Sequence, residues 1–143
     1  MNLTTAATPE LYLEIQQFFA RQMRMLDGRN LTGYAETFTE DAIFRHSPNR
    51  APAHTRAGIL RDLEEIHAQL TKEPQQRRHM FTMIDIEPRT DGTVAATSYA
   101  LIVTTRPGGR PDMVRSCVVN DVLVRQDGRL LTRSRLVDHD GVE

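Results

Sequence analysis

The sequence predicts an α+β fold. Three N-terminal helices pack on a strongly curved, mainly antiparallel sheet that encloses a cone-shaped cavity, an α+β barrel. Three observations carry this. Apolar residues in the first half recur at helical spacing. The second half consists of long segments rich in Val, Thr, Ile and Leu. Between those segments stand the pairs Asp91-Gly92, Gly108-Gly109 and Asp127-Gly128, each able to close a hairpin.

The helices come first. Thr8 and Pro9 combine a hydroxyl N-cap with proline at the first helical position. Leu11, Ile15, Phe18, Phe19, Met25 and Leu26 then follow at helical spacing, and Gly28 ends the run. A short second helix carries Leu31, Tyr34, Ala35 and Phe38 on one face and is broken at Thr39-Glu40-Asp41. Ala42 to Arg45 reads as a short strand, and Asn49 to His54 as a loop flanked by Pro48 and containing Pro52. Thr55 caps a third helix whose stripe is Ile59, Leu63, Ile66 and Leu70, with Pro74 just beyond it.

The strands follow: Arg78 to Glu87, Thr93 to Arg106, Met113 to Gln126 and Arg129 to His139. Four antiparallel strands in a meander account for them most simply. Strands of this length twist and coil, and a coiled sheet roofed by helices encloses a cone. In the first of them Met80, Ile84 and Ile86 alternate with His79, Phe81 and Met83, so both faces are apolar. One face then meets the helices and the other a second copy of the chain, which predicts a homodimer.

Composition bounds the function. The 143 residues suit one domain, 1–143, with a sizeable core. Charged residues at 26% and hydrophobic ones at 39% fit a soluble globular protein. A net charge of −1 supplies no field that would gather nucleic acid or an anionic membrane. No apolar run approaches the ~20 residues of a membrane span. Met1 to Pro9 has neither the basic nor the apolar region of a secretory leader. The single cysteine, Cys117, allows no disulfide within the chain, which agrees with a reducing cytoplasm. Neither a His-Glu-x-x-His helix nor paired cysteines nor a glycine-rich phosphate loop is present, so no metal or cofactor is expected.

Polar residues in apolar surroundings are the candidates for chemistry. His79 shares a strand face with Phe81, where a half-buried imidazole suits proton transfer. The alternative is a core histidine bonded to a backbone carbonyl. Asp27 ends the first helix, where its charge opposes the helix dipole, unless it merely forms a turn with Gly28. His46 ends the short strand and is either a site residue or a solvated one. Tyr34, Phe81, Tyr99 and Asn120 are candidate substrate contacts, and Arg115 is a further candidate. On the third long strand Arg115, Cys117, Val119 and Asp121 share one face, with Ser116, Val118 and Asn120 on the other. Only one of these faces can look into the cavity. Asp121 and Arg135 are placed to pair across adjacent strands. His54, His67 and His139 read as structural or solvated.

The string Gly33-Tyr34-Ala35-Glu36-Thr37-Phe38-Thr39-Glu40-Asp41-Ala42-Ile43-Phe44, with three helices before four long strands, resembles the nuclear-transport-factor-2-like (SnoaL-like) superfamily. Ketosteroid isomerase and scytalone dehydratase belong to that superfamily. Phe18-Phe19-Ala20-Arg21-Gln22-Met23, Ser98-Tyr99-Ala100-Leu101-Ile102-Val103 and Asp121 through Arg129 are similar to the small dehydratase and cyclase proteins of aromatic polyketide (actinorhodin-type) clusters.

The resemblance implies catalytic roles for His79 and Asp27, by analogy with scytalone dehydratase. It places His46 where ketosteroid isomerase has its aspartate base, while that enzyme's tyrosine donor falls at Gln22. It implies a cofactor-independent dehydratase or cyclase acting on a polyketide-derived hydroxylated carbonyl compound. Two other readings share the fold: a non-catalytic β-subunit of a ring-hydroxylating dioxygenase, and a small-molecule-binding module.

Overall fold

A computed structural model describes residues 7–142, so Met1–Ala6, part of the stretch read above as carrying no leader, lie outside the described residues. Helix α1 spans Pro9–Asp27. The Leu11 amide donates to Thr8 Oγ1 at 3.1 Å, and Gly28 caps the far end, as the sequence signals require. Asn30 caps the five-residue helix α2, Leu31–Ala35. Helix α3, Arg56–Leu70, is capped by Thr55, whose hydroxyl accepts from the Gly58 amide.

The strands are β1 (Phe38–Arg45), β2 (Ala53–His54), β3 (Gln76–Pro88), β4 (Val94–Thr105), β5 (Asp112–Gln126) and β6 (Arg129–His139). They form one six-stranded sheet in the order β2-β1-β6-β5-β4-β3. The meander β3 to β6 is antiparallel, whereas β1 joins β6 in parallel, making the sheet mixed. The sheet is curled but not closed. Its concave face and the helices share the core.

Phe38 is a correction to the sequence reading. It opens β1 instead of closing α2, and Thr39-Glu40-Asp41 lies within that strand across a register irregularity. The apolar spacing Leu31, Tyr34, Phe38 suits a helix, but Phe38 and Phe44 stack on each other at 5.5 Å. That stacking, with Tyr34 edge-on to Phe38, draws the segment into the sheet.

The hairpin signals act as expected. At the β5–β6 turn Asp127 and Gly128 both have positive φ, 52° and 77°. That backbone matches the twist of the flanking strands. A bulge between Thr82 and Asp85, where Met83 has a φ of 51°, bends β3.

Candidate active site

Inward-facing residues alternate along each strand. On β3 they include Arg77, His79 and Phe81, and on β4 Ala100 and Ile102. On β5 the face that looks inward is Arg115, Cys117 and Val119, which decides between the two faces left open above. Together with α1, α2 and α3 these residues enclose a cavity of about 240 Å³. A shallower groove of about 560 Å³ runs outside it, between α1 and β3, and His79 and Phe81 form part of the wall between the two.

Asp27 and His79 meet at this wall. The His79 ring Nδ1 lies 2.7 Å from Asp27 Oδ1, and the His79 backbone amide donates to both carboxylate oxygens at 3.2 Å. Both side chains are largely buried. A carboxylate accepts only, so Nδ1 carries a proton and donates. This occupies Nδ1 whether the ring is neutral or protonated and leaves Nε2 as the nitrogen available to a ligand. The Asp27 carboxylate thus answers the cost of its position at the end of α1 by holding main chain and ring of β3 together.

His46 lines the same cavity from the end of β1, stacked on Phe44 with ring centroids 4.0 Å apart. Its Nε2 lies 3.1 Å from Asp62 Oδ2 of α3, without the alignment of a hydrogen bond. Burial pushes the imidazole down to about 4, with Asp62 working in the opposite direction. The ring is therefore neutral at neutral pH.

Two further histidines, read from the sequence as structural or solvated, also line the cavity. His67 of α3 shares its Nδ1 with the Leu63 carbonyl at 3.0 Å, and His139 closes β6. Burial lowers both imidazoles. Four of the five histidines thus share one concavity, and only His54, exposed on β2, lies elsewhere. The signal that could have found His67 was its place next to Ile66 on the apolar stripe.

Below the histidines lies a buried polar cluster. Arg135 of β6 grips Asp121 of β5 through Nε at 3.0 Å and Nη2 at 2.7 Å. Its Nη1 donates to the Tyr34 hydroxyl at 2.8 Å, and Nη2 also donates to Gln22 Oε1 at 2.7 Å. Gln22 in turn donates to Thr132 and Thr37. Rings of Phe19, Phe38 and Phe81 surround the guanidinium. Burial raises the Tyr34 phenol, with Arg135 opposing, so the hydroxyl keeps its proton. With its oxygen accepting from Arg135, that proton is free for an acceptor in the cavity, which Tyr34 lines.

The remaining expected contacts divide. Phe81 lines the cavity. Tyr99 and Asn120 do not: they lie on the opposite face of the sheet. Tyr99 is 54% exposed, and Asn120 accepts from Thr97. The strand alternation that buries Ser98 and Ala100 turns Tyr99 outward. Among the described residues no group of three or more His, Cys, Asp or Glu side chains is arranged to hold a metal ion. No helix among them is long and apolar enough to cross a membrane.

A curled α+β sheet roofed by three helices is the nuclear-transport-factor-2-like architecture. A family model for the SnoaL-like domain matches residues 7–136, and the chain belongs to that family. Among solved structures it is similar to ActVI-ORFA from Streptomyces coelicolor, with 49% identity and a TM-score of 0.86, covering 92% of this chain and 99% of that one. It is also similar to a Catenulispora acidiphila protein in complex with S-DNPA, at 51% identity and a TM-score of 0.85, over 93% of this chain and 96% of that one. Aln2 from a Streptomyces species matches at 35% identity and a TM-score of 0.87, covering 94% of each chain. No curated protein matches by sequence.

Proposed function

We propose that the chain is a cofactor-independent dehydratase or cyclase that acts on a polyketide-derived, hydroxylated carbonyl compound, and that it works as a homodimer. The observation that carries this reading is the Asp27–His79 pair opening onto an apolar cavity that also holds His46 and Tyr34. Family membership and the similarity to actinorhodin-type proteins support it.

Dehydration beside a carbonyl needs a base for the α-proton and an acid for the departing hydroxyl. Neutral His46 is suited to the first step. His79 is suited to the second: its Nε2 donates the proton, and Asp27 stabilises the imidazolium from which it comes. Tyr34, protonated and backed by Arg135, donates to the oxygen on which enolate charge develops. As the α-proton goes to His46, its bonding pair forms the carbon–carbon double bond and the hydroxyl leaves as water with the His79 proton. Ring closure uses the same groups in the same roles: His46 takes the proton of the attacking carbon or hydroxyl, the freed pair forms the ring bond to a carbonyl carbon, and His79 protonates that carbonyl's oxygen as its π bond opens.

Each proton-transfer role is worth about 10²–10⁴ in rate. His79→Ala and Asp27→Asn are expected to lower turnover of a β-hydroxy-carbonyl aromatic polyketide by that factor while stability changes by only about 1–2 kcal/mol. Single-turnover assays with parallel urea titrations check this. Full turnover in His79→Ala would refute the assignment.

A further inference from the structure

Among the described residues three buried side-chain polar atoms lack a hydrogen-bond partner, and two of them face each other. These are His46 Nε2 and Asp62 Oδ2, 3.1 Å apart. A buried polar atom left without a partner is costly and uncommon in a folded chain. Each of these two is the other's nearest remedy, because a carboxylate oxygen accepts and an imidazole N–H donates.

The fold brings them together from two elements. Asp62 follows Ile59 by three residues and precedes Ile66 by four, so it lies at the edge of the α3 face that packs on β1. His46 stands one residue beyond β1 with its ring against Phe44. The stacking restrains the ring, and a small turn aligns Nε2 with the carboxylate. The other oxygen of Asp62, Oδ1, accepts from Arg50 of the loop between β1 and β2, which holds the carboxylate from the solvent side. Asp62 is no part of the cavity wall, whereas His46 is. The His46 Nδ1 atom has no hydrogen bond among the described residues and is not enclosed, which leaves it as the nitrogen open to the cavity.

The arrangement repeats that of Asp27 and His79 with the ring turned round. There the carboxylate of α1 takes Nδ1 and leaves Nε2, whereas here that of α3 faces Nε2 and leaves Nδ1. The two rings come from β3 and from the end of β1, with β6, β5 and β4 between them, so the pairs approach the cavity from opposite flanks of the curled sheet.

We propose that Asp62 is a positioning residue for His46: it keeps the proton of the neutral ring on Nε2, turns the lone pair of Nδ1 to the substrate's α-carbon, and stabilises the imidazolium that forms. This deepens the proposed function and rests on His46 being the base assigned there. In the step, the α-carbon–hydrogen bond breaks and its proton bonds to Nδ1. The freed pair becomes the carbon–carbon double bond as the hydroxyl leaves with the His79 proton. The His46 imidazolium then carries a proton on each nitrogen, the one on Nε2 bonded to Asp62. Nδ1 returns its proton through water to His79 once the product has left.

The tautomer is read first, in the native chain. Nitrogen NMR of the ¹⁵N-histidine-labelled protein at neutral pH should show His46 protonated at Nε2 and bare at Nδ1, its signals being those missing from His46→Gln. Asp62→Ala should turn that single tautomer into a mixture. Asp62→Asn keeps the shape of the side chain and loses its charge. With 3-hydroxytetralone, a β-hydroxy ketone that becomes a naphthol on losing water, both variants should lower kcat about tenfold to a hundredfold and leave KM within about threefold, because Asp62 does not touch the substrate. In a His46→Gln background the same substitutions should cause no further loss, since Asp62 acts only through that ring. A native His46 protonated on Nδ1, a tautomer unmoved in Asp62→Ala, an undiminished kcat in Asp62→Asn, or losses that multiply with His46→Gln would each overturn the proposal. The expected tautomer, lost in Asp62→Ala, in a chain that does not turn over this ketone would sink the dehydratase reading and leave the Asp62–His46 pairing standing. Turnover by a chain whose His46 carries its proton on Nδ1 would do the reverse.

Discussion

His46 shows how one side chain couples chemistry to stability. Its ring is stacked on Phe44 and buried, and its imidazole is pushed from 6.5 to about 4. A histidine depressed in the folded state binds fewer protons there than in the unfolded chain. Its stabilising contribution is therefore complete above pH 6.5 and is lost as pH falls toward 4. The shift corresponds to at most about 3 kcal/mol. His67 and His139 act in the same direction. Urea titrations at about pH 7 and about pH 4.5, either side of most of that window, should show a marked acid loss in the native chain and a smaller one in His46→Gln. An unchanged acid loss in that variant would show that other groups carry it. Asp27 was legible from the sequence because it breaks a local rule at a helix end, and His79 because it interrupts an apolar strand. Asp62, the carboxylate facing His46, gave no such signal: an aspartate on a helix flank is ordinary, and only the packing of α3 over β1 brings it to 3.1 Å.

Four elements converge on the Arg135 guanidinium: β5 through Asp121, β6 itself, α2 through Tyr34 and α1 through Gln22. Such a pair holds elements in one arrangement, and removing one partner leaves an uncompensated buried charge. Asp121→Asn should therefore lower stability by about 3–5 kcal/mol. Asp121→Leu combined with Arg135→Met should recover much of that, while turnover falls as Tyr34 loses its supporting donor. Chemical denaturation of the single and double variants checks both. A single variant as stable as the native chain would mean that water reaches the cluster. The pairing of Asp121 with Arg135 was only partly legible. Asp127-Gly128 places Gln126 opposite Arg129, and that register carried back along the ladder would set Asp121 against Ser134. A bulge between Val122 and Leu123 moves it by one residue. The parallel pairing of β1 with β6 was not legible at all, because it joins segments far apart in the chain with no turn to announce it. The inward turn of His67 and His139 has the same origin, since helix roll and the far end of a ladder are set by tertiary packing.

At the scale of the whole molecule the sheet has two faces with different tasks. The concave face is filled by the core and the cavity. The other leaves Tyr99 54% exposed, and at the β4–β5 end Met113 is 59% exposed. The sequence suggests apolar alternation on both sides of β3, but the bulge between Thr82 and Asp85 brings Ile84 and Ile86 to the same core as Phe81 and leaves Met80 and Met83 exposed; these two and Tyr99 are the apolar side chains on which the proposed second copy rests. A large ring left in water on the outer face of the sheet gains by being covered, and an arginine introduced at the same place would have to be desolvated against an identical arginine from the partner. Light scattering at micromolar concentration should therefore return about twice the 16.3 kDa chain mass, and Tyr99→Arg should return a single chain. Because Tyr99 points away from His79 and His46, the variant should keep its affinity for a cavity ligand within about twofold, provided the fold persists. Circular dichroism and urea titration supply that control. A native chain that scatters as 16.3 kDa would refute the dimer and leave the cavity assignment untouched, whereas a monomeric variant that loses ligand affinity would show that pairing shapes the cavity as well as covering the face.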